Sequence, residues 1–234
     1  KTGSIGVWGT GPNVEPLWRR PWRASIYELQ VFPDGSRVVA VDSDSLASVW
    51  SASGGDLLWS RASSHAPWHL AVRVFPDSGA VVTGVSNFRS GPALVRDAWS
   101  GEVLREFLQP SSAELALEVS PCGAMLFTIS KDALFVWNVS SGALEREVRV
   151  LGISLHRIVA SPDGRSVFLG SGGGVTAISV LTGKVTAKFR AWGKMVAFAL
   201  LAGGRQLAML EEDDITLVSL EGDVEEVHRD SRGG

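Results

Sequence analysis

Cysteine is nearly missing from this chain. The single Cys122 excludes an internal disulfide framework and any zinc site built from cysteines. Histidine is scarce too, with four in 234 residues: His65, His69, His156 and His228. No apolar run approaches the roughly 20 residues that span a bilayer, so membrane insertion is not expected. There is no excess of one charge either. The 22 Lys+Arg against 25 Asp+Glu leave a net charge of -3, which removes a whole-surface electrostatic case for nucleic acid or an anionic membrane. The start, Lys1-Thr2-Gly3-Ser4, has neither an initiator Met nor a signal-peptide stretch. The expectation is a piece of a longer chain that works inside the cell, in the cytoplasm. What is present is core material: 45% hydrophobic and 20% charged residues fit one large domain or two small ones rather than a disordered chain.

One turn recurs. It reads Phe32-Pro33-Asp34-Gly35, Phe75-Pro76-Asp77-Ser78-Gly79, Ser120-Pro121-Cys122-Gly123 and Ser161-Pro162-Asp163-Gly164, and its prolines stand 43, 45 and 41 residues apart. A degenerate fifth copy is Leu201-Ala202-Gly203-Gly204, 40 residues on. Pro presets φ at the second turn position, and Asp and Gly suit a tight reversal between antiparallel strands. Apolar runs flank each turn and a third run follows. A glycine turn (Gly54-Gly55, Gly101, Gly142, Gly183, Gly222) then leads to a more polar fourth run. The runs are too short, and too often broken by Gly and Pro, for helices. Four strands in about 40 residues make one blade of a β-propeller, with apolar inner strands and an outer strand facing water.

The fold class expected is therefore all-β: a propeller of four-stranded antiparallel blades within one domain, 1–228. Ser4–Trp8 followed by Val14–Arg19 resembles the last two strands of a blade, giving an N-terminal half blade, 1–22. Five full blades follow at about 23–64, 65–110, 111–151, 152–192 and 193–228, then a tail, 229–234. A propeller avoids open sheet edges by closing its ring, so the half blade predicts a larger propeller.

The pattern resembles the WD-repeat and quinoprotein-like β-propellers over nearly the whole chain. Ser161-Pro162-Asp163-Gly164 is its most typical turn. Trp8, Trp50 and Trp137 match the tryptophan that closes the third strand of a WD repeat, with Arg96, Ile178 and Leu217 at that place in other blades. The Asp that usually follows is replaced by Gly9, Ser51 and Asn138. The Gly-His pair that opens a WD repeat is absent, so the His–Asp network of that family is not implied. Gly55-Asp56-Leu57-Leu58-Trp59 looks like the Gly-x-x-x-Trp motif of quinoprotein-type blades.

No catalytic constellation emerges. His65 and His69 share a loop containing Pro67 and Trp68, which fits loop hydrogen bonding better than a metal pair on a helix. His156 precedes an apolar strand, and His228 lies in a charged tail. The serines lack a Gly-x-Ser-x-Gly context. Gly172-Gly173-Gly174 and Gly183-Lys184 join strands and open no helix, so they read as hairpins rather than phosphate loops. Asn138-Val139-Ser140 fits a glycosylation acceptor but needs a secretory route. Cys122 sits in a turn without an activating neighbour. No metal and no cofactor are expected.

Three connections between blades do stand out, because they set cations beside tryptophan. They are Arg19-Arg20-Pro21-Trp22-Arg23, Arg61 with His65, Trp68 and His69, and Arg190-Ala191-Trp192-Gly193-Lys194. Trp and Arg are enriched at interface hot spots. Each indole either contacts a partner or plugs the gap between blades; Trp22 stands 11 residues before Pro33, where a typical repeat has its histidine. The hairpins between second and third strands carry Asp42 and Asp44, Lys131 and Asp132, and the run Glu211–Asp214, of which the four-carboxylate run reads as a solvated turn. The function expected is a noncatalytic scaffold or sensor that presents loops on one propeller face to a protein or peptide, within a longer chain or assembly. The alternative is a quinoprotein-like or hydrolase-type propeller enzyme with a central-channel site. It would have to draw on Tyr27, Glu28, Arg73, Glu114, Glu118, His156 and Arg157 at the inner-strand starts.

Overall fold

The computed structural model describes residues 3–8, 15–62, 70–85, 91–108, 116–130, 133–150, 155–212, 214–220 and 227–229. Two compact units divide the chain, Lys1–Leu115 and Ala116–Gly234. In the first unit, β1 (Gly3–Trp8) and β2 (Pro16–Trp22) form a two-stranded sheet. Next come a sheet of β3 (Ile26–Val31), β4 (Arg37–Asp42), β5 (Leu46–Ser51) and β6 (Leu57–Ala62), and one of β7 (Leu70–Val74), β8 (Ala80–Val85), β9 (Ala93–Asp97) and β10 (Val103–Phe107).

The second unit holds three four-stranded sheets. They are β11 (Ala116–Val119), β12 (Met125–Ser130), β13 (Ala133–Asn138) and β14 (Leu144–Arg149); β15 (Leu155–Ala160), β16 (Ser166–Ser171), β17 (Gly174–Ser179) and β18 (Val185–Arg190); and β19 (Met195–Leu201), β20 (Gln206–Glu211), β21 (Ile215–Ser219) and β22 (Val227–Arg229). Every strand pairs antiparallel with its neighbour in sequence. Among the described residues there is no α-helix, only a 3-10 turn at Ala202–Gly204. The chain is all-β and repeats a four-stranded antiparallel sheet, as the proline period predicts. Gly172–Gly174 and Gly183–Lys184 fall in or beside hairpins.

The recurring turn closes as its residues dictate. Gly35, Gly123 and Gly164 donate their N–H groups to the carbonyls of Phe32, Ser120 and Ser161 at 2.8, 2.8 and 2.9 Å. The second copy departs from expectation. There Ser78, not Gly79, takes the left-handed position, with φ +61°. A neighbouring sheet compensates, because the Ser78 hydroxyl accepts from the N–H of Asp34 at 3.1 Å and its carbonyl accepts from Arg37 Nη2 at 2.7 Å.

Burial explains the composition of each strand. All six residues of β4 are buried, as are most of β5, β12, β13, β16 and β17. A central strand covered on both faces reads as a continuous apolar run rather than an alternating one. The fourth strands β10, β14 and β18 are largely exposed and correspondingly polar. The core is divided between neighbouring sheets within each unit: Phe32, Val39, Val49, Trp59, Val72 and Val81 pack together, and so do Phe127, Ile129, Val136, Ile158, Val167 and Ile178.

Side chains of the last strand of a sheet staple it to the next. The Trp18 ring lies on Gly55 and donates its N–H to the Ala52 carbonyl at 2.6 Å. Trp59 repeats this on Gly101, donating to the Ala98 carbonyl at 3.1 Å. Both glycines have φ near +70° (68° and 71°), and a Cβ there would stand 2.5 and 2.7 Å from the indole carbons, so any larger residue meets both strain and a clash. In the second unit Arg146 takes the same place over Gly183 and donates to the carbonyls of Leu181 and Thr182 at 2.9 and 3.5 Å.

Candidate interaction surface

Register decides which loops share an end of a sheet. Ile26 pairs with Asp42, and Leu46 with Ala62. The connection into β3, the hairpin between β4 and β5, and the end of β6 therefore lie at one end of that sheet. The proline turns and the stapled glycine turns lie at the other end.

Residues two apart on a strand share a face, so Trp18, Arg20 and Trp22 of β2 all face the β3–β6 sheet. Arg20 donates Nε and Nη2 to the carbonyls of Gly55 and Gly54 at 3.2 and 3.1 Å. Trp22 is half-buried, packs edge-on against Trp50 at 5.1 Å between ring centroids, and donates its N–H to Asp42 Oδ2 at 2.7 Å. Both contacts tie Trp22 to the neighbouring sheet. Asp42 is 2% exposed, and its other oxygen accepts from the N–H groups of Asp44 and Leu46 at 2.9 and 3.0 Å. Arg19 donates to the Ser4 hydroxyl at 2.9 Å, while Arg23 is exposed.

Two residues after the Trp59 staple, Arg61 repeats the Arg20 contact. It donates to the Ser100 carbonyl on the next sheet at 3.1 Å and to the Ser60 carbonyl at 3.2 Å. His65, Trp68 and His69 lie outside the described residues, as do Lys131 and Asp132.

The third connection differs. Arg190 is exposed, Trp192 is 72% exposed, and Lys194 forms an exposed pair with Glu212 at 3.5 Å. Beneath them Glu211 corrects the solvated-turn expectation. It is 5% exposed, accepts from the N–H of Gly193, and takes the Thr216 hydroxyl at 3.1 Å. Asp42 and Glu211 both end the second strand of a sheet, and each fastens the connection that enters it. Their donors, an indole N–H and a backbone N–H, are not specified by any local pattern, which is why these contacts were missed from sequence. Asp214 caps its own strand through the N–H of Ile215 at 3.0 Å.

Side chains of β3 also find partners on β7. Glu28 pairs with Arg73 and accepts from the N–H of Val72 at 3.0 Å; Gln30 accepts from the N–H of Val74 at 3.0 Å. Among the described residues no group of three or more His, Cys, Asp or Glu could hold a metal ion, and no helix is long and apolar enough to cross a membrane. Cys122 is exposed, and the Ser120 hydroxyl beside it, 3.4 Å away, holds its thiol below the usual value. No family model and no curated protein sequence matches this chain.

Proposed function

We propose that the repeated sheets are blades of a WD-like or quinoprotein-like β-propeller, and that the chain is a noncatalytic module that binds a protein or peptide through its inter-blade connections. One observation carries this reading: Trp192 stands 72% exposed in a short connection, between the exposed cations Arg190 and Lys194. A broad indole flanked by positive charge is the composition of an interface anchor. The buried carboxylates at the ends of β4 and β20 favour display rather than chemistry, because Asp42 and Glu211 are each occupied in holding the connection into their own sheet. Glu28 and Arg73, which a central-channel enzyme would need, are paired with each other.

In this reading Trp22, Arg20 and Arg61 set the connections, while Trp192, Arg190 and Lys194 meet the partner. The test is capture of an interacting protein by the wild-type chain, by W192A and by W22A. The reading expects W192A to lose the partner at an unchanged melting temperature, and W22A to lose stability. Undiminished capture by W192A with R190A and K194A would refute it.

A further inference from the structure

Within the second unit, among the described residues, the sheet of β15–β18 lacks the side chain that staples other sheets to their successors, and a cleft stands there. Register identifies the position. In five of the sheets the last strand has a residue that pairs beside the bulge: Trp18 with Val7, Trp59 with Val49, Arg105 with Val95, Arg146 with Val136, and Ala187 with Ala177. Arg105 belongs to the last sheet of the first unit, and the other four face a following sheet of their own unit. Trp18, Trp59 and Arg146 fill the gap to the following sheet with an indole or a guanidinium. Ala187 has only a methyl group. Between β15–β18 and the last sheet there is a cleft of about 370 Å³, and Ala187 and Ala177 are part of its wall.

Its remaining walls are mixed: the proline-turn residues Ser161, Asp163 and Ser166 make one rim polar, and the apolar walls are what a ring would lie against. Phe168 and Phe189 lie on one side and Leu220 on the other, with Arg205 also lining it. Leu220 stands where Ala52 and Ala98 stand in the earlier sheets, since all three donate their N–H groups back across the proline turn, to the carbonyls of Arg205, Ser36 and Gly79. Those equivalent residues supply the carbonyls that accept the indole N–H of Trp18 and Trp59. The cleft thus combines aromatic walls and a carbonyl in the place where its counterparts bind indole, while Arg205 on its rim bonds to the Ala202 carbonyl at 3.0 Å. An apolar cavity of about 150 Å³ already accepts a benzene ring, and small-molecule sites begin near 300 Å³.

We propose that this cleft is a binding site for an indole ring, which enters where the chain's own tryptophan is replaced by Ala187. The ring can be free indole or the tryptophan side chain of a peptide; the recognition chemistry is the same. The site is at the proline-turn end of its sheets, opposite the connections, and does not depend on the loop-surface reading above.

The probes are indole and N-acetyltryptophanamide, titrated against the full chain by saturation-transfer NMR and thermal shift. The proposal expects saturable binding of at least one probe to the wild-type protein. It expects about tenfold weaker binding to A187W, where the ring is supplied internally. A187M, which fills the cleft partly and perturbs folding less, should also weaken binding. Comparable binding of the capped tryptophan identifies a peptide side chain as the occupant, and binding of indole alone identifies a free ligand. Absence of saturable binding by both probes, or equal binding to wild type, A187W and A187M, overturns the proposal.

Discussion

Replacing Trp59 by alanine removes a side chain that is only 4% exposed, lies flat on Gly101 and donates to the Ala98 carbonyl. Truncation of a buried tryptophan costs about 3–5 kcal/mol, most of it lost burial and the cavity left behind. The hydrogen bond contributes about 1 kcal/mol of that, because in water the same groups bond to solvent. W59F separates the two contributions: it keeps most of the ring, strands the carbonyl, and should cost about 1–3 kcal/mol. With a urea slope of about 2–3 kcal/mol per molar, W59A should lower the midpoint by roughly 1–2 M. Far-UV circular dichroism is the suitable probe, since nine tryptophans confuse the fluorescence. G101A provides the internal control. At φ +71° the substitution costs about 1–2 kcal/mol of backbone strain, and its Cβ would also meet the Trp59 ring at 2.7 Å. In a W59A background the clash disappears and only the strain remains, so the double mutant must be less destabilised than the sum of the singles. Strict additivity, or a W59A midpoint shift below about 0.3 M, would show that the indole does not couple the two sheets.

Other parts of the structure make independent predictions. D42A strands the Trp22 indole N–H and the N–H groups of Asp44 and Leu46, and should cost about 2–4 kcal/mol, against about 1 kcal/mol for W22F; urea titration of both variants checks the order. Arg37 is 2% exposed, lies over the rings of Phe32 and Trp99, and bonds to the Ser78 carbonyl, so R37A should unfold at clearly lower denaturant while R37M recovers only the packing. Three turn carboxylates are held below the ordinary range: Asp97 by the N–H groups of Ser100 and Trp99, Asp163 by the Ser161 hydroxyl and the N–H of Arg165, and Asp34 by the N–H and hydroxyl of Ser36. Because their folded values are depressed, they stabilise the fold above the ordinary carboxylate pKa of about 3.9, and that contribution is lost as pH falls through the folded values. Melting temperature should accordingly drop on acidification below about pH 4, and less steeply in D97N/D163N. The Cys122 thiol should react with an exposed-thiol reagent in the folded protein, and S120A should slow that reaction near neutral pH, since the hydroxyl that lowers the thiol's pKa is gone.

Local chemistry made the repeat legible from sequence alone. Pro, Asp and Gly at a period near 40 mark where the chain reverses, and a reversal is governed by adjacent residues, so each turn announces itself. The continuous apolar runs of β4, β12 and β16 likewise identify strands covered on both faces. Gly55 and Trp59 were visible as a motif, and the two-stranded sheet at 3–22 could be read from its likeness to later strand pairs. Side-chain partners were beyond reach for a different reason. Trp22 and Asp42, Arg37 and Ser78, and Glu211 and Gly193 are joined through packing of sheets or loops whose facing residues have no local signature. The same holds for Ser78 in a left-handed turn, whose partners Asp34 and Arg37 stand on another sheet. Ala187 looks unremarkable along the chain; only the register that aligns it with Trp18, Trp59 and Arg146 reveals a missing ring and the space left by it. Sequence by itself determined the strands and turns, because their energies are set by neighbours along the backbone. Tertiary structure decided which indoles are buried, which carboxylates are occupied and where a cleft opens, because those depend on residues some 20 to 45 positions apart meeting in space.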